Sequence, residues 1–316
     1  MRVRVKFAKY GPMKFIGHLE LMRFLQKCLR RTDIDVHYSD GITPRMIMST
    51  AMPLGLGLES TGEYVDLELG RPVSTEHALE QLRPLMPEGL EILDFRQVGE
   101  AVLEGGGTAK KPEKAMSVVA AAEYEVFFRD GYEPPENWRE ILKDFVRQEE
   151  IPWTKETKKG FRTLDMKPLI YSFSIGDNAV IGAGVSEDIS SGDISLRDIS
   201  SGDSSSGEEP VDAGGRTRSS GYGKDSIRMC VCSRVGQNLR PEQLIGEAFA
   251  GRGLTLPEDA LQIRRVDLLA ELDANGLCLR QGDRRKGHEE QDAVSGEHRK
   301  HNLISLGGIG KVIDSK

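Results

Sequence analysis

The chain has 316 residues and a formal net charge of −7, with 38% hydrophobic and 29% charged residues. That length suits about two domains of ordinary size, and no apolar run is long enough to span a membrane as a helix. The four cysteines, Cys28, Cys230, Cys232 and Cys278, lack the spacing of a disulfide framework, which points to a reducing cytoplasm. The charge is uneven: residues 1–31 carry nine Lys/Arg and one acid, a local +8 that leaves −15 on the remainder. A basic site on an acidic chain is the implication, rather than a generally basic protein. Alternating charges at the N-terminus replace a signal-peptide core, so a cytoplasmic location is expected.

In chain order, Val3, Val5 and Phe7 alternate with Arg2, Arg4 and Lys6 as in a half-buried strand. A helix follows near residues 18–31. Gly17 serves as N-cap, with Glu20 placed to favour the first turn. Leu19, Met22, Leu25 and Leu29 recur as an apolar stripe, and Arg23, Lys27, Arg30 and Arg31 share another face. Ile34, Val36 and Tyr38 suggest a second strand, residues 39–58 are rich in turn formers, and Val65, Leu67 and Leu69 mark a third strand. Ser74 caps a helix running to about Leu85, with Ala78, Leu79, Leu82 and Leu85 inward, and a fourth strand covers about 90–98. The order βαββαβ is that of a ferredoxin-like unit. In such a unit the first and third strands are neighbours, which would pair Arg2, Arg4 and Lys6 with Asp66 and Glu68.

Residues 99–120 read as a linker, after which the order repeats. Tyr124, Val126 and Phe128 alternate, a helix spans about 138–148, 153–173 is partly extended, and Ile227, Met229 and Val231 form a strand. Pro241 opens a helix to about 250, and Leu261, Ile263 and Arg265 form a last strand. The fold class is α+β: two tandem ferredoxin-like units, at 1–98 and 121–280. Within the second, 176–225 is Gly-, Ser- and Asp-rich and repeats DISSGD, so it reads as a disordered insertion. Residues 281–316 read as a charged flexible tail, its terminal LISLGGIGKVIDSK a docking segment or, by preference, a frayed end.

With those residues laid out, the chain resembles the bacterial family of radical SAM-linked proteins, domain of unknown function 2344. The resemblance rests on VRVKFAKYGPMKFIGHLELMRFLQKCLRR, AMPLGLGLESTGEYVDLEL, TKKGFRTLDMKPLI and NLRPEQLI. It covers about residues 1–100 and, more weakly, 120–272. Where the family tends to carry an aromatic-Asn-Pro turn, this chain has Gly41-Ile42-Thr43-Pro44. The resemblance implies a partner, a radical SAM enzyme with a cobalamin-binding domain, and a setting near ribosomal functions. The chain is not itself that enzyme, because a radical SAM cluster needs three closely spaced cysteines and only Cys230 and Cys232 lie near each other.

No cofactor or metal site is expected. GGIGKV at 307–312 lacks the Ser/Thr of a phosphate loop, and Gly55-Leu56-Gly57 reads as a turn. His288, His298 and His301 fall in the charged tail. Two basic patches remain. One comprises Lys14, Arg23, Lys27, Arg30 and Arg31, with His18 in the first helical turn. The other comprises Lys155, Lys158, Lys159 and Arg162, with Trp153 and Phe161 interleaved. Cations pair with phosphates and exposed rings stack on unpaired bases, so RNA is the ligand class that fits. The plainer reading is a solvated charged surface with its aromatics in the core.

The expected function is therefore a non-catalytic RNA-binding or substrate-presenting partner of the radical SAM enzyme. Two alternatives stay open. One is a metal-independent endoribonuclease with His18 as base and Lys14 or Lys27 steadying the phosphorane. At the first turn the helix dipole disfavours an imidazolium; the plainer alternative is that His18 satisfies a backbone group. The other is a protein adaptor using the apolar loop Ala51 to Leu58.

Overall fold

The computed structural model describes residues 1–98, 113–157, 160–176, 178–181, 226–272, 278–281, 302–311 and 313. The fold is mixed α+β. Strand β1 (Arg2–Lys9) leads through a 3-10 turn at Gly11–Phe15 into helix α1 (His18–Leu29), followed by β2 (Met48–Thr50), β3 (Glu59–Glu68), α2 (Thr75–Leu82) and β4 (Leu90–Val98). Gly17 is the α1 N-cap, and its amide donates to Glu20 Oε2 at 2.9 Å. Ser74 Oγ accepts from the His77 amide to cap α2. The strands run in the order β4-β1-β3-β2, every neighbour antiparallel.

Helices α1 and α2 cover one face of these strands. Val3, Val5, Phe7, Val65, Leu67, Ile92 and Phe95 pack there against Leu21, Leu25, Leu29, Ala78 and Leu82. Full burial of one such side chain contributes about 1.5–3 kcal/mol. The buried stripe of α1 is Leu21, Leu25, Cys28 and Leu29, while Leu19 is 68% exposed. The phase differs from that expected because Leu19 stands one turn before Arg23 and shares its side of the helix. Ile34, Val36 and Tyr38 do not form a strand either. Val36 and Tyr38 make single bridges to Leu69 and Met46, and the second strand comes later, at β2.

The second half contains the short helix α3 (Ala115–Val118), β5 (Val119–Phe128), α4 (Trp138–Arg147), the hairpin β6 (Pro152–Thr157) and β7 (Gly160–Asp165), β8 (Ile170–Ile175), β9 (Asn178–Ile181), β10 (Ile227–Cys232), α5 (Pro241–Ala250) and β11 (Leu261–Glu271). Residues 115–120 are thus helix and strand rather than linker, and Ala115, Val118, Val119 and Ala120 are buried. The 99–112 part of that expected linker lies outside the described residues. The expected insertion begins with strand β9, paired to β8; its residues 182–225 also lie outside. Strands β11, β5, β10 and β8 are successive antiparallel neighbours. Tyr124, Val126, Met229 and Val231 pack in one core with Trp138, Ile141, Leu142, Leu244 and Phe249 of α4 and α5.

The two halves share one 11-stranded sheet, because β3 and β11 meet in parallel over a short register, Glu59 with Arg264 and Ser60 with Arg265. The approach there is close. A Cβ on Gly62 would lie 2.3 Å from the Val266 carbonyl oxygen and 2.6 Å from Asp267 Cα. Arg265, 2% exposed, donates from Nε and Nη2 to both oxygens of Glu63 at 2.7 Å.

The frayed end expected for the last residues is not observed for 302–311. Strand β12 (Leu303–Ser305) pairs with β11, a 3-10 turn follows, and β13 (Gly310–Lys311) pairs with β4. Leu303 and Leu306 are buried. Too short to fold alone, this segment is stable because two existing strands offer unpaired edges. It crosses the face of the first sheet that the helices leave open, where Arg4 Nη1 donates to the Leu306 carbonyl at 3.3 Å.

Candidate nucleic-acid interface

Three of the four cations of β1 are neutralised by acids, while the fourth, Lys9, donates to main-chain carbonyls. Arg2 pairs with Glu68 at 2.8 Å and Arg4 with Asp66 at 2.8 Å, as the register of β1 and β3 dictates. Lys6 departs from that expectation, because its register partner is Tyr64; its ammonium reaches Asp267 of β11 at 3.3 Å instead. Asp267 also accepts from the Tyr64 hydroxyl at 2.5 Å and from Ser305 Oγ at 2.7 Å. Beside it, Glu123 has its carboxyl pushed up to about 7 by burial and then by the Asp267 charge, with Lys6 opposing. Tyr64 is raised above the usual phenol range, chiefly by burial.

A second charged row crosses the seam. Lys14 pairs with Glu59 at 3.3 Å, Arg264 with Glu59 and Glu125 at 3.6 Å each, and Arg228 with Glu125 at 3.5 Å. Glu125 is buried, its carboxylate shared between the Arg228 and Arg264 guanidinium groups, and burial raises its carboxyl above the ordinary range. Lys14, expected in the first basic patch, therefore meets an acid supplied from 45 residues away.

The face of α1 differs. Arg23, Lys27, Arg30 and Arg31 are all exposed, and none pairs with a carboxylate among the described residues. The one acid of the helix, Glu20, is engaged by the Gly17 amide. From Arg23 to the C-cap Arg30 the row spans about 10 Å at 1.5 Å per residue, with Arg31 directly after it. Lys27, Arg30 and Arg31 also sit at the helix C-terminus, where the macrodipole offsets part of their mutual repulsion. His18 occupies the first helical turn, half-buried, and no carboxylate or second histidine bonds to its ring among the described residues.

The second patch belongs to the β6–β7 hairpin, a separate two-stranded sheet. Lys155 and Arg162 are register partners there, while Lys158 and Lys159 lie outside the described residues. Phe161 is largely exposed, but Trp153 is buried in the core of the second half. Only one of the two aromatics expected to stack is thus available. The hairpin packs through Trp153 on the second core, whereas α1 packs through Leu21, Leu25 and Leu29 on the first. No group of three His, Cys, Asp or Glu among the described residues could hold a metal ion, and no helix among them is long and apolar enough to cross a membrane.

Sequence reasoning missed two residues of the α1 surface, Phe15 and Leu19, 66% and 68% exposed. The signal was present for Leu19, at i−4 from Arg23. For Phe15 it was not, because only the fold decides which way the turn faces.

The family model described as "Uncharacterized protein conserved in bacteria (DUF2344)" matches residues 2–200. The chain belongs to this family. No curated protein matches it. The DUF2344 match includes β1, α1, the α1 cations and the β6–β7 hairpin, so both basic surfaces lie inside the family's own segment.

Proposed function

We propose that the chain is a non-catalytic RNA-binding or substrate-presenting module that serves a cobalamin-type radical SAM enzyme in RNA or ribosome-related modification. One observation carries the RNA reading: Arg23 and Lys27 on α1, and Arg30 and Arg31 directly after it, stand exposed without carboxylate partners among the described residues, in a chain whose Arg2, Arg4 and Lys6 are matched to acids. Unmatched cations in a row are suited to phosphates, and repel one another when nothing binds. The enzyme partner rests on the family resemblance. Both halves are read as ferredoxin-like βαββαβ units, which supports RNA by fold analogy alone.

The test is fluorescence anisotropy of labelled RNA with the purified full chain across a salt series. Binding is expected at low salt, with log K falling linearly against log salt. Replacing Arg23, Lys27 and Arg30 by Glu should abolish it. A protein that binds no RNA at low salt refutes the reading. Cleavage of the RNA that survives EDTA and disappears in His18→Ala would replace it with the nuclease reading.

A further inference from the structure

Lys9 is 1% exposed, and burial holds its ammonium below the usual lysine range. Its hydrogen bonds go to the main chain of the turn before α1: it donates to the Ile16 carbonyl at 2.7 Å and the Lys14 carbonyl at 3.4 Å. From another direction the Gly57 amide donates to that same Lys14 carbonyl at 2.9 Å, and the Tyr10 amide donates to Gly89 at 2.8 Å. Gly11, which opens the turn, has φ of 55°, and the ring of Pro12 fixes φ at the second residue. The turn is therefore bolted from beneath and from both flanks, yet it carries Phe15 with 66% of its surface in water. The Lys14 ammonium lies 5.6 Å from the ring centroid. Leu19, also exposed, stands on α1 one turn before Arg23 and two before Lys27.

An exposed ring on a hydrogen-bonded turn, with the Lys14 ammonium over it and the α1 cations beginning eight residues later, matches the chemistry of unpaired nucleotides. Each base offers a flat face to the ring, and each phosphate offers an anion to the helix. A turn whose backbone is already held loses little conformational entropy on binding. Duplex RNA keeps its base faces stacked on one another, so the ring has nothing to meet there. We propose that Phe15 is a stacking platform for an unpaired base, so that the α1 surface takes single-stranded RNA in preference to duplex. The inference rests on the RNA reading above.

The experiment compares the full chain binding a short unstructured RNA and the same strand annealed to its complement, for wild type, Phe15→Ala and Phe15→Trp. Phe15→Ala should weaken single-strand binding by about tenfold, leaving duplex binding and the salt slope unchanged. Phe15→Trp should keep the affinity, and its new fluorescence should be quenched by the single strand but not the duplex; the native Trp138 and Trp153 are buried and give a constant background. Equal wild-type affinity for the two RNAs, or single-strand binding that Phe15→Ala leaves unchanged, overturns this inference while the RNA reading stands. Absence of binding to either RNA overturns both.

Discussion

The first 31 residues hold two sets of cations with opposite fates. On β1, Arg2, Arg4 and Lys6 each meet a carboxylate, and the side chains of Arg4 and Asp66 are 3% and 2% exposed. On α1 and just past its end, Arg23, Lys27, Arg30 and Arg31 meet none among the described residues and stand in water. The difference is one of neighbours. A strand presents each side chain to a fixed position on the next strand, so an acid at the right register neutralises it. A helix offers only its own i±3 and i±4 positions on its outer face. For Arg23 those positions include Glu20, already engaged by the Gly17 amide, and Lys27, another cation. Local charge therefore becomes a surface only where the fold withholds its partner.

The comparison breaks most visibly at the buried pair. Asp66→Ala should cost about 3–5 kcal/mol, because Arg4 would be left charged and buried without its acid; the Ala115 amide would also lose its acceptor. Denaturant unfolding measures this, and a loss under about 1 kcal/mol would mean that Arg4 finds another partner or water. On the helix, reversing Arg23, Lys27 and Arg30 should leave stability nearly unchanged yet weaken RNA binding by at least about a hundredfold, with the salt slope flattened by about 0.7 per lost phosphate contact.

Glu123 sharpens the paired side of the comparison. Its folded carboxyl, at about 7, lies above the ordinary 4.5, so the folded state holds a proton that the unfolded chain releases. The associated stability is fully present below about 4.5 and is lost as pH rises through about 7. Glu123→Gln should accordingly stabilise the protein by about 1–3 kcal/mol at pH 8 and hardly at all at pH 4. Thermal melts of both proteins across that range decide it, and parallel curves would contradict the assignment. The smallest effect is expected from Lys27→Ala, within about 0.5 kcal/mol in unfolding free energy.

Much of this architecture is legible without coordinates. Alternation places β1, β3 and β4, Ser74 and Gly17 mark their helix starts, and adjacency of the first and third strands predicts the Arg2–Glu68 and Arg4–Asp66 pairs. The failures share a cause. Lys14 meets Glu59, Lys6 meets Asp267, Trp153 enters the second core, and residues 303–311 add two short strands, each through contacts distant in sequence. Periodicity reports which residues share a face, whereas it is blind to what covers that face. The candidate site was legible in its cations and opaque in its ring, because Phe15 looks like core material until the turn is seen to point it outward.

The strap formed by residues 302–311 also sets a timetable. Strands β1 to β4 are complete once residue 98 is made, but the open face of their sheet receives Leu306, the acceptor for Arg4, only near the end of the chain. At about 5–20 residues per second, the ribosome needs roughly 10–40 s to make the intervening stretch of about 200 residues. For that interval the nascent first half lacks Leu306, and Arg4 and Asp66 have only each other and residues 113–115, made soon after β4, as partners. Their pairing therefore serves the growing chain before it stabilises the finished one.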